Sequence, residues 1–294
     1  MRWKKITLVG VGLLGGSLGL AVKRRRLARR VEGYVRRAAS IAECKKFRAV
    51  DRATLDLQSA VEGADLIILC TPLAQMRPLV KQMLPALKRG AIVTDVGSVK
   101  TSVVRELETL VAKGGGHFIG SHPMAGAEKT GVVWARANLY EGAVCVVTPT
   151  RRTNTSALRK VEQFWKSVGG RLLRLTPEKH DALVSRSSHL PHVVAATLAA
   201  VVLDPKWPKA QAALCANGFR DTTRIASGSP EMWRDIAVAN RRPLRAALDG
   251  FVRELQRVQA ILRRGRVVEM ARLFETAKQR RDRWCSRTVS PSPE

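Results

Sequence analysis

Three glycines near the amino terminus have the spacing of a phosphate-binding turn. They form the motif Gly-x-Gly-x-x-Gly at Gly10, Gly12 and Gly15. In such a motif the first glycine permits a tight turn, the second lets the backbone approach a pyrophosphate, and the third allows a helix to pack closely. The backbone N–H groups that begin the following helix, from Leu13 and Leu14 onward, then face the phosphates with the positive end of the helix dipole. These five residues are therefore predicted to bind a dinucleotide cofactor.

The elements around this turn come in the order that dinucleotide binding requires. An apolar run at 6–9 predicts a buried strand before the turn, and residues 13–22 predict an apolar helix after it. The alternation continues through the first half of the chain, which predicts a parallel sheet with helices on both faces. The further predicted strands are 31–35, 64–70 and 91–96, and the further predicted helices are 41–47, 76–87 and 102–113.

Two short segments follow predicted strands at the edge of the sheet where ligands bind. Thr71 and Pro72 leave the strand predicted at 64–70, and residues 97–100, which include Ser98, leave the strand predicted at 91–96. In an open α/β sheet the ligand lies beyond the carboxyl ends of the strands. Both segments are therefore expected to border the cofactor.

The end of the second predicted strand bears on the choice between NAD and NADP. An acidic residue about twenty positions after the glycines would bind the ribose hydroxyls of NAD. Here Val35 is followed by Arg36 and Arg37. The missing carboxylate removes repulsion against a 2′-phosphate, and two guanidinium groups offer planar, charge-assisted contacts to it. NADP is therefore favoured; NAD is the alternative, in which Glu32, or no acid at all, serves the ribose.

The second half of the chain has a different pattern. After about residue 176, strand-like runs give way to helical spacing at 190–202, 230–240 and 244–274. The predicted fold class is therefore α/β, with an N-terminal Rossmann-type parallel-sheet domain over 1–176 followed by an all-helical domain over 177–285. Serine and proline predict a mobile tail over 286–294. An apolar stripe in the helical half predicts a homodimer formed through this half: Leu244, Leu248, Phe251, Leu255, Val258, Ile261 and Leu262.

The charge balance raises a second class of function. The 294 residues include 52 lysines and arginines against 24 acids, a formal net charge of +28, which suggests nucleic-acid binding. The basic residues are spread along the chain without a long basic tail, and this is typical of a solvated surface. A nucleic-acid-binding protein is therefore the less favoured alternative, and it predicts salt-sensitive retention on DNA or RNA.

The amino-terminal segment also has the outline of a signal peptide or membrane anchor, because basic residues flank the apolar residues 6–22. Five of these seventeen residues are glycine, and a membrane interpretation leaves their spacing unexplained. Neither export nor membrane insertion is therefore predicted.

The cysteines bear on the compartment and on metal binding. They are odd in number, far apart and never in a Cys-x-x-Cys arrangement: Cys44, Cys70, Cys145, Cys215 and Cys285. This pattern favours a reducing, cytoplasmic setting, with neither a zinc site nor a disulfide framework.

Several longer strings together resemble one enzyme family. They are GVGLLGGSLGLA, DVGSVK, GSHPMAGAEKTG, SHLPH and GFRDTTRIASGSPEMWRD, and they lie in order between about residues 4 and 280. They resemble the prephenate and arogenate dehydrogenases of tyrosine biosynthesis. The resemblance implies an oxidative decarboxylation in which a ring carbon bearing a hydroxyl loses hydride to a nicotinamide, carbon dioxide leaves the neighbouring quaternary position, and the ring becomes aromatic.

The resemblance also assigns the catalytic residues. Loss of hydride from an alcohol carbon is easier when an acceptor draws off the hydroxyl proton. His122, in Ser-His-Pro-Met, is expected to be that acceptor, since histidine titrates near neutrality. Ser98 resembles the family's serine that holds the same hydroxyl near the nicotinamide.

Further residues resemble the family's substrate-binding set. Arg224 matches an arginine that binds a substrate carboxylate, a contact that is charge-assisted and bidentate. His192 and Ser188 resemble polar residues on the substrate side, whereas a core role is expected for His189. Two more predicted site residues are Glu128, a carboxylate that can pair with an arginine of the cleft, and Trp233, an aromatic that reaches the neighbouring subunit's site.

The sequence leaves some alternatives open. Ala127 stands where some relatives carry a threonine hydroxyl, so the choice between prephenate and arogenate as substrate is open. Another two-domain dehydrogenase of the hydroxyacid type would share the sheet, the glycine turn and the helical half, but it would use a lysine base in place of His122. Feedback by tyrosine is also left open.

Overall fold

The computed structural model describes residues 2–126 and 129–289. The strands are β1 (Trp3–Val9), β2 (Ala28–Tyr34), β3 (Arg52–Thr54), β4 (Leu66–Leu69), β5 (Ile92–Asp95), β6 (His117–Pro123), β7 (Val144–Thr148) and β8 (Arg171–Arg174). They form one sheet in the order β3-β2-β1-β4-β5-β6-β7-β8. Neighbouring strands run parallel, except that β6 and β7 are antiparallel.

The helices fall into two groups along the chain. Six alternate with the strands: α1 (Leu13–Arg24), α2 (Ala38–Lys46), α3 (Leu57–Val61), α4 (Leu73–Met83), α5 (Thr101–Lys113) and α6 (Thr155–Ser167). The others follow the last strand: α7 (Pro177–Val184), α8 (Leu190–Val202), α9 (Lys209–Ala213), α10 (Asn217–Thr223), α11 (Pro230–Ala239), α12 (Arg241–Arg263) and α13 (Val267–Val289). The predicted fold class, a Rossmann-type parallel-sheet domain followed by helices, is confirmed, and the antiparallel pair of β6 and β7 is an addition that the sequence did not predict.

The central strands are buried on both faces, as parallel strands covered by helices must be. In β4 the side chains of Leu66 and Ile68 join one apolar layer, whereas those of Ile67 and Leu69 join the layer on the opposite face. All four are fully buried. This two-sided burial explains why β4 reads as an unbroken apolar run, Leu-Ile-Ile-Leu, rather than as an alternating one.

Helix α1 lies unusually close to the backbone beneath it. A Cβ at Gly15 would lie 2.0 Å from the carbonyl oxygen of Gly10, and a Cβ at Gly19 would lie 2.0 Å from that of Ala49. No side chain fits into such gaps. The packing role that the sequence assigned to the third glycine of the motif is therefore confirmed.

The chain divides into two compact units, residues 1–244 and 245–294. The first contains the sheet and helices α1 to α11, and the second contains most of α12 and all of the described part of α13. The stretch of helical spacing predicted at 244–274 is interrupted, because Gly265 adopts a φ of +59° and its N–H donates back to the carbonyl of Leu262, which ends α12. Helix α13 continues to Val289, past the point at which the tail was expected to begin, and residues 290–294 lie outside the described part.

Within 2–126 and 129–289, none of the helices combines the length and the apolar character that crossing a bilayer demands.

Candidate active site

The glycine turn leaves room for a ligand at one point. Gly10 adopts a φ of +97°, and a Cβ there would lie 2.9 Å from the carbonyl oxygen of Cys70. At Gly12, in contrast, a Cβ would meet nothing within 4 Å, and no side chain caps the helix that begins at the buried Leu13 and the half-buried Leu14. The protein therefore leaves open the N-terminus of α1, where a pyrophosphate would bind.

Two unsatisfied polar atoms lie after β4, one of them on Thr71 beside the glycine turn and the other on Gln75 in α4. The hydroxyl oxygen of Thr71 and the side-chain carbonyl oxygen of Gln75 are buried, and neither has a hydrogen-bond partner in the described part of the chain. Thr71 follows the carboxyl end of β4, and the exposed Pro72 precedes α4. Leaving a buried polar group unpaired is costly, so these atoms fit a site that a polar ligand completes. The residues present are compatible with a bound dinucleotide.

The residues after β2 are basic and exposed. Arg36 and Arg37 follow the buried Val35, and both are exposed. Glu32, the acid considered as a ribose ligand, is only 1% exposed; its carboxylate forms ion pairs with Lys5 at 2.9 Å and with Arg30. Glu32 is therefore engaged within the protein, while the two arginines are accessible at the carboxyl edge of the sheet.

His122 lies just past the point where β5 ends. The last parallel pair between these strands joins Thr94 to Ile119, and three residues later His122 pairs with Val146 of β7. Its side chain is 8% exposed. The pKa of His122 is held well below its usual value, mainly by burial and to a smaller extent by electrostatic repulsion from His180, Lys100 and His189. The imidazole is therefore neutral at neutral pH, as a proton acceptor must be.

A buried ion pair anchors the turn that carries Ser98. Asp95 precedes this turn and Lys100 follows it, and the Lys100 ammonium donates to the Asp95 carboxylate and, at 2.9 Å, to the carbonyl of Ser121. Both charged residues are fully buried. Asp95 also accepts from the backbone N–H of Ser121 at 3.0 Å. The pair therefore fastens both ends of the Ser98 turn to the residue that precedes His122.

Two further residues at this site were missed by sequence reasoning. The Nδ1 of His122 lies 2.9 Å from the Nε2 of His180, and the Nδ1 of His180 lies 2.8 Å from a carboxylate oxygen of Asp181. Both His180 and Asp181 are buried. They come from α7, the first helix after the sheet, and the one signal available in the sequence was an adjacent histidine and aspartate at this position.

The helical residues of the predicted substrate side form a second cluster. Ser188 lies in a π-helical turn, Ser185–His189, and its carbonyl accepts from the Nδ1–H of His192 at 2.9 Å. The His192 ring stacks on Trp233 of the same chain, with centroids 3.6 Å apart. His189 is buried, its Nδ1 lies 3.0 Å from the Nδ2 of Asn240, and burial lowers its pKa to about 4. The structure therefore brings Ser188, His192 and Trp233 together, and a role of Trp233 at a partner's site stays a prediction.

The remaining predicted substrate residues are Arg224 and Glu128. Arg224 begins a short 3₁₀ turn, Arg224–Ser227, that packs against α8, the helix that carries His192. Glu128 lies outside the described residues. The described part of the chain contains no group of three or more histidine, cysteine, aspartate or glutamate side chains that could hold a metal ion.

Comparison with known proteins supports one family throughout. The chain matches the models of the prephenate dehydrogenase nucleotide-binding domain over residues 18–174 and of the prephenate dehydrogenase dimerization domain over 176–276. The prephenate dehydrogenase of Bacillus subtilis is 33% identical over 280 residues, which cover 94% of this chain and 75% of that protein. Among solved structures, prephenate dehydrogenase from Aquifex aeolicus in complex with hydroxyphenyl propionate and NAD+ is 32% identical, with a TM-score of 0.90 and coverage of 96% of this chain and 99% of that one. Synechocystis arogenate dehydrogenase, also 32% identical, gives a TM-score of 0.80, with coverage of 95% and 99%. This chain therefore belongs to the prephenate dehydrogenase family.

Proposed function

We propose that this protein catalyses the NAD(P)-dependent oxidative decarboxylation of prephenate or arogenate. The observation that carries the proposal is the buried, neutral imidazole of His122, which lies past the end of β5 beside the Ser98 turn. The family supports the same conclusion, because its relatives are named for prephenate and for arogenate. The products would be 4-hydroxyphenylpyruvate from prephenate and tyrosine from arogenate.

The protein's part in this reaction is to hold and deprotonate the ring hydroxyl. Ser98 would donate a hydrogen bond to the hydroxyl oxygen, and the Nε2 of His122 would accept its proton. Bound nicotinamide supplies the acceptor for the hydride that leaves the same carbon. The carboxylate at the quaternary position then departs as carbon dioxide, and its bonding electrons complete the aromatic ring. This gain of aromaticity makes a separate acid for the decarboxylation unnecessary.

The substrate is an anion with two carboxylates, so cationic and polar groups must hold its ends. Arg224 would bind one carboxylate through a bidentate, charge-assisted contact. His192 and Ser188 would line the same side, and the stack of Trp233 on His192 would keep that ring in place. Glu128 would pair with an arginine of the cleft and limit access.

We propose NADP as the preferred cofactor because of Arg36 and Arg37. Both arginines follow β2 and are exposed. Glu32, the acid that could bind the ribose of NAD, instead forms ion pairs with Lys5 and Arg30. Replacing both arginines with serine should lower kcat/KM for NADP by at least about tenfold, since two charge-assisted contacts are lost, and should change kcat/KM for NAD little. Arg29→Ser, an exposed change at the other end of β2, is the matched control. A wild-type kcat/KM for NAD equal to or higher than that for NADP would contradict the proposal.

Three further parts of the proposal concern the whole chain. We propose a nucleotide-binding domain over 1–176 and a helical domain over 177–285, supported by the change of family model between residues 174 and 176. We propose a homodimer through the helical domain, supported by the name of its family model. We also propose a cytoplasmic location, supported by the free thiols of Cys44, Cys70, Cys145 and Cys215.

One absorbance assay at the nicotinamide band tests the reaction, the substrate and the cofactor together. Prephenate, arogenate and simple hydroxyacids are each offered with NAD and with NADP, and released carbon dioxide is measured in parallel. We expect cofactor reduction with prephenate or arogenate, matched by an equal amount of carbon dioxide. Reduction with hydroxyacids alone, or with none of the compounds, would overturn the proposed function.

A further inference from the structure

His122, His180 and Asp181 form a continuous buried chain of hydrogen bonds. The Nδ1 of His122 meets the Nε2 of His180 at 2.9 Å, and the Nδ1 of His180 meets Asp181 Oδ1 at 2.8 Å. His180 and Asp181 are at most 2% exposed. Because each imidazole has one donor and one acceptor nitrogen when neutral, the partner at one end of this chain determines the proton positions along it.

The carboxylate end of the chain can only accept. Asp181 already accepts from the backbone N–H groups of Lys100 at 2.7 Å and Thr101 at 2.8 Å, and its hydrogen bonds, including the one from His180, lower its pKa against the effect of burial. An ionised carboxylate has no proton to donate. The Nδ1 of His180 must therefore carry the proton of their hydrogen bond.

The proton positions on the two rings follow in turn. Burial lowers the pKa of His180, so this ring is neutral, and with its proton on Nδ1 its Nε2 is an acceptor. The Nδ1 of His122 must then be the donor. Since His122 is neutral as well, its own Nε2 is left with a lone pair.

We propose that Asp181 and His180 are positioning residues that hold the proton of His122 on Nδ1 and so keep its Nε2 ready to accept a proton from substrate. This inference rests on the proposed function for the meaning of that lone pair, but the proton positions themselves are a property of the protein without ligand.

The same carboxylate also connects His122 to Ser98. The two backbone groups that Asp181 accepts from, those of Lys100 and Thr101, come directly after the Ser98 turn and begin α5. One side chain from α7 therefore supports both groups that would hold the substrate hydroxyl. If Asp181 served only to cap α5, it would not need a hydrogen bond through His180 to His122.

Nuclear magnetic resonance of the ligand-free, full-length protein tests the proton positions directly. Multiple-bond proton–nitrogen spectra of ¹⁵N-histidine-labelled protein distinguish the two neutral tautomers of a histidine. The protein has only five histidines, so few signals have to be assigned. Signals are assigned by their loss in His122→Asn and His180→Phe. We expect Nδ1–H on both His122 and His180. A proton on the Nε2 of His122 in the wild type would overturn the inference.

Kinetics test the consequence for turnover. His180→Phe keeps a ring of similar size but removes the acceptor for His122, so we expect kcat to fall about 100-fold and KM to change less than about threefold. The loss of the carboxylate that fixes the tautomer of a serine protease histidine costs about 10⁴-fold in kcat. His117→Phe, at the opposite end of β6, is the matched control and should keep normal kcat. A kcat of folded His180→Phe within threefold of wild type would overturn the inference.

A second pair of variants separates the two tasks of Asp181. Asp181→Asn weakens both the cap of α5 and the hold on His180, whereas Asp56→Asn weakens a comparable cap, since Asp56 accepts from the backbone N–H groups of Gln58 and Ser59 at the start of α3. We expect only Asp181→Asn to lower kcat and to change the His122 tautomer signal. Equal kcat in the two variants would contradict the inference. A wild type with the expected tautomer that oxidises neither prephenate nor arogenate would instead overturn the proposed function alone.

Discussion

At the residue scale, burial keeps the imidazole of His122, the proposed proton acceptor, uncharged. Its pKa lies well below the usual 6.5, first because burial disfavours the charged ring and then because His180, Lys100 and His189 oppose a positive charge. We therefore expect kcat/KM to stay level from about pH 8 down to about 6.5 and to fall only at lower pH. A pH profile of kcat/KM checks this, and an acid limb centred at or above pH 6.5 would contradict it.

The same lowered pKa affects stability with a definite sign. The unfolded chain binds the His122 proton at a higher pH than the native protein does, so protonation below about pH 6.5 favours unfolding. The contribution of this residue to stability is therefore complete above pH 6.5 and is lost as the pH falls toward its native pKa. Denaturant titrations at several pH values, with His122→Asn as the control, would measure it.

Replacing one residue on each side of the proposed substrate distinguishes catalysis from binding. His122→Asn should lower kcat by about 10² to 10⁴, the usual contribution of a positioned base, with little change in KM. Arg224→Ala should mainly raise KM, because a charge-assisted contact to a substrate carboxylate is lost. Steady-state kinetics with prephenate or arogenate, whichever gives the higher kcat/KM, measures the kcat and KM of both variants. Near-normal kinetics in both variants would show that the assigned roles are wrong.

Single residues differ in how far the sequence exposes their role. His122 and Ser98 lie within strings shared with the family, and the sequence predicted them. His180 and Asp181 act through hydrogen bonds that span 58 residues to His122 and 81 to Lys100, and no local spacing encodes such contacts. Lys100 was expected only to border the cofactor, and its complete burial depends on Asp95, a partner that charge patterns along the chain do not reveal.

Elements, too, differ in how clearly the sequence predicts them. Strands β1, β4 and β5 were predicted from apolar runs bounded by turns, whereas β2, which contains two arginines and a glutamate, was predicted only in its second half. Strand β7, Val-Cys-Val-Val-Thr, was missed although its composition is typical of a strand. Strands β3, β6 and β8 were missed for separate physical reasons. β3 has only three residues, β6 ends in the polar Ser-His-Pro of the candidate site, and the edge strand β8 reads Arg-Leu-Leu-Arg with largely exposed side chains. Such strands form because neighbouring strands pair with them, not because of their own composition.

Replacement by alanine should affect stability at one glycine of the turn and cofactor binding at another. At Gly15 a Cβ would lie 2.0 Å from the Gly10 carbonyl oxygen, so α1 must move away from the turn. We expect Gly15→Ala to lower the free energy of unfolding by about 3 kcal/mol, at the upper end for overpacking. At Gly12 a Cβ would meet no protein atom within 4 Å, so Gly12→Ala should fold normally and weaken cofactor binding at least tenfold.

Denaturant unfolding and cofactor titration, carried out on both variants, compare these effects. Each variant is the control for the other, since both add one methyl group to the same turn. Gly12→Ala with unchanged affinity for NAD and NADP would show that the space beside Gly12 does not bind the pyrophosphate. Gly15→Ala with wild-type stability would show that α1 can shift without cost.

At the scale of the whole molecule, the charge of +28 favours anionic ligands. Dinucleotides, prephenate and arogenate are all anions, and a positive field raises their local concentration and association rate. This effect is screened by salt, with a Debye length of about 8 Å at physiological ionic strength. The same field would attract nucleic acids, so the charge alone does not distinguish the alternatives, whereas the match to the prephenate dehydrogenase family does.

The proposed homodimer predicts a specific effect of charge in the helical part. Of the predicted apolar stripe, Leu255 is 49% and Leu262 is 65% exposed in the single chain, and a partner subunit would cover such side chains. Leu262→Glu should therefore raise the dimer dissociation constant by about 30-fold or more, the effect of losing an interface hot spot. Leu173→Glu, on the exposed edge strand β8 and 43% exposed, is the matched control. Sedimentation velocity over a range of concentrations measures both, and dissociation caused by Leu173→Glu instead of Leu262→Glu would assign the interface to the edge of the sheet.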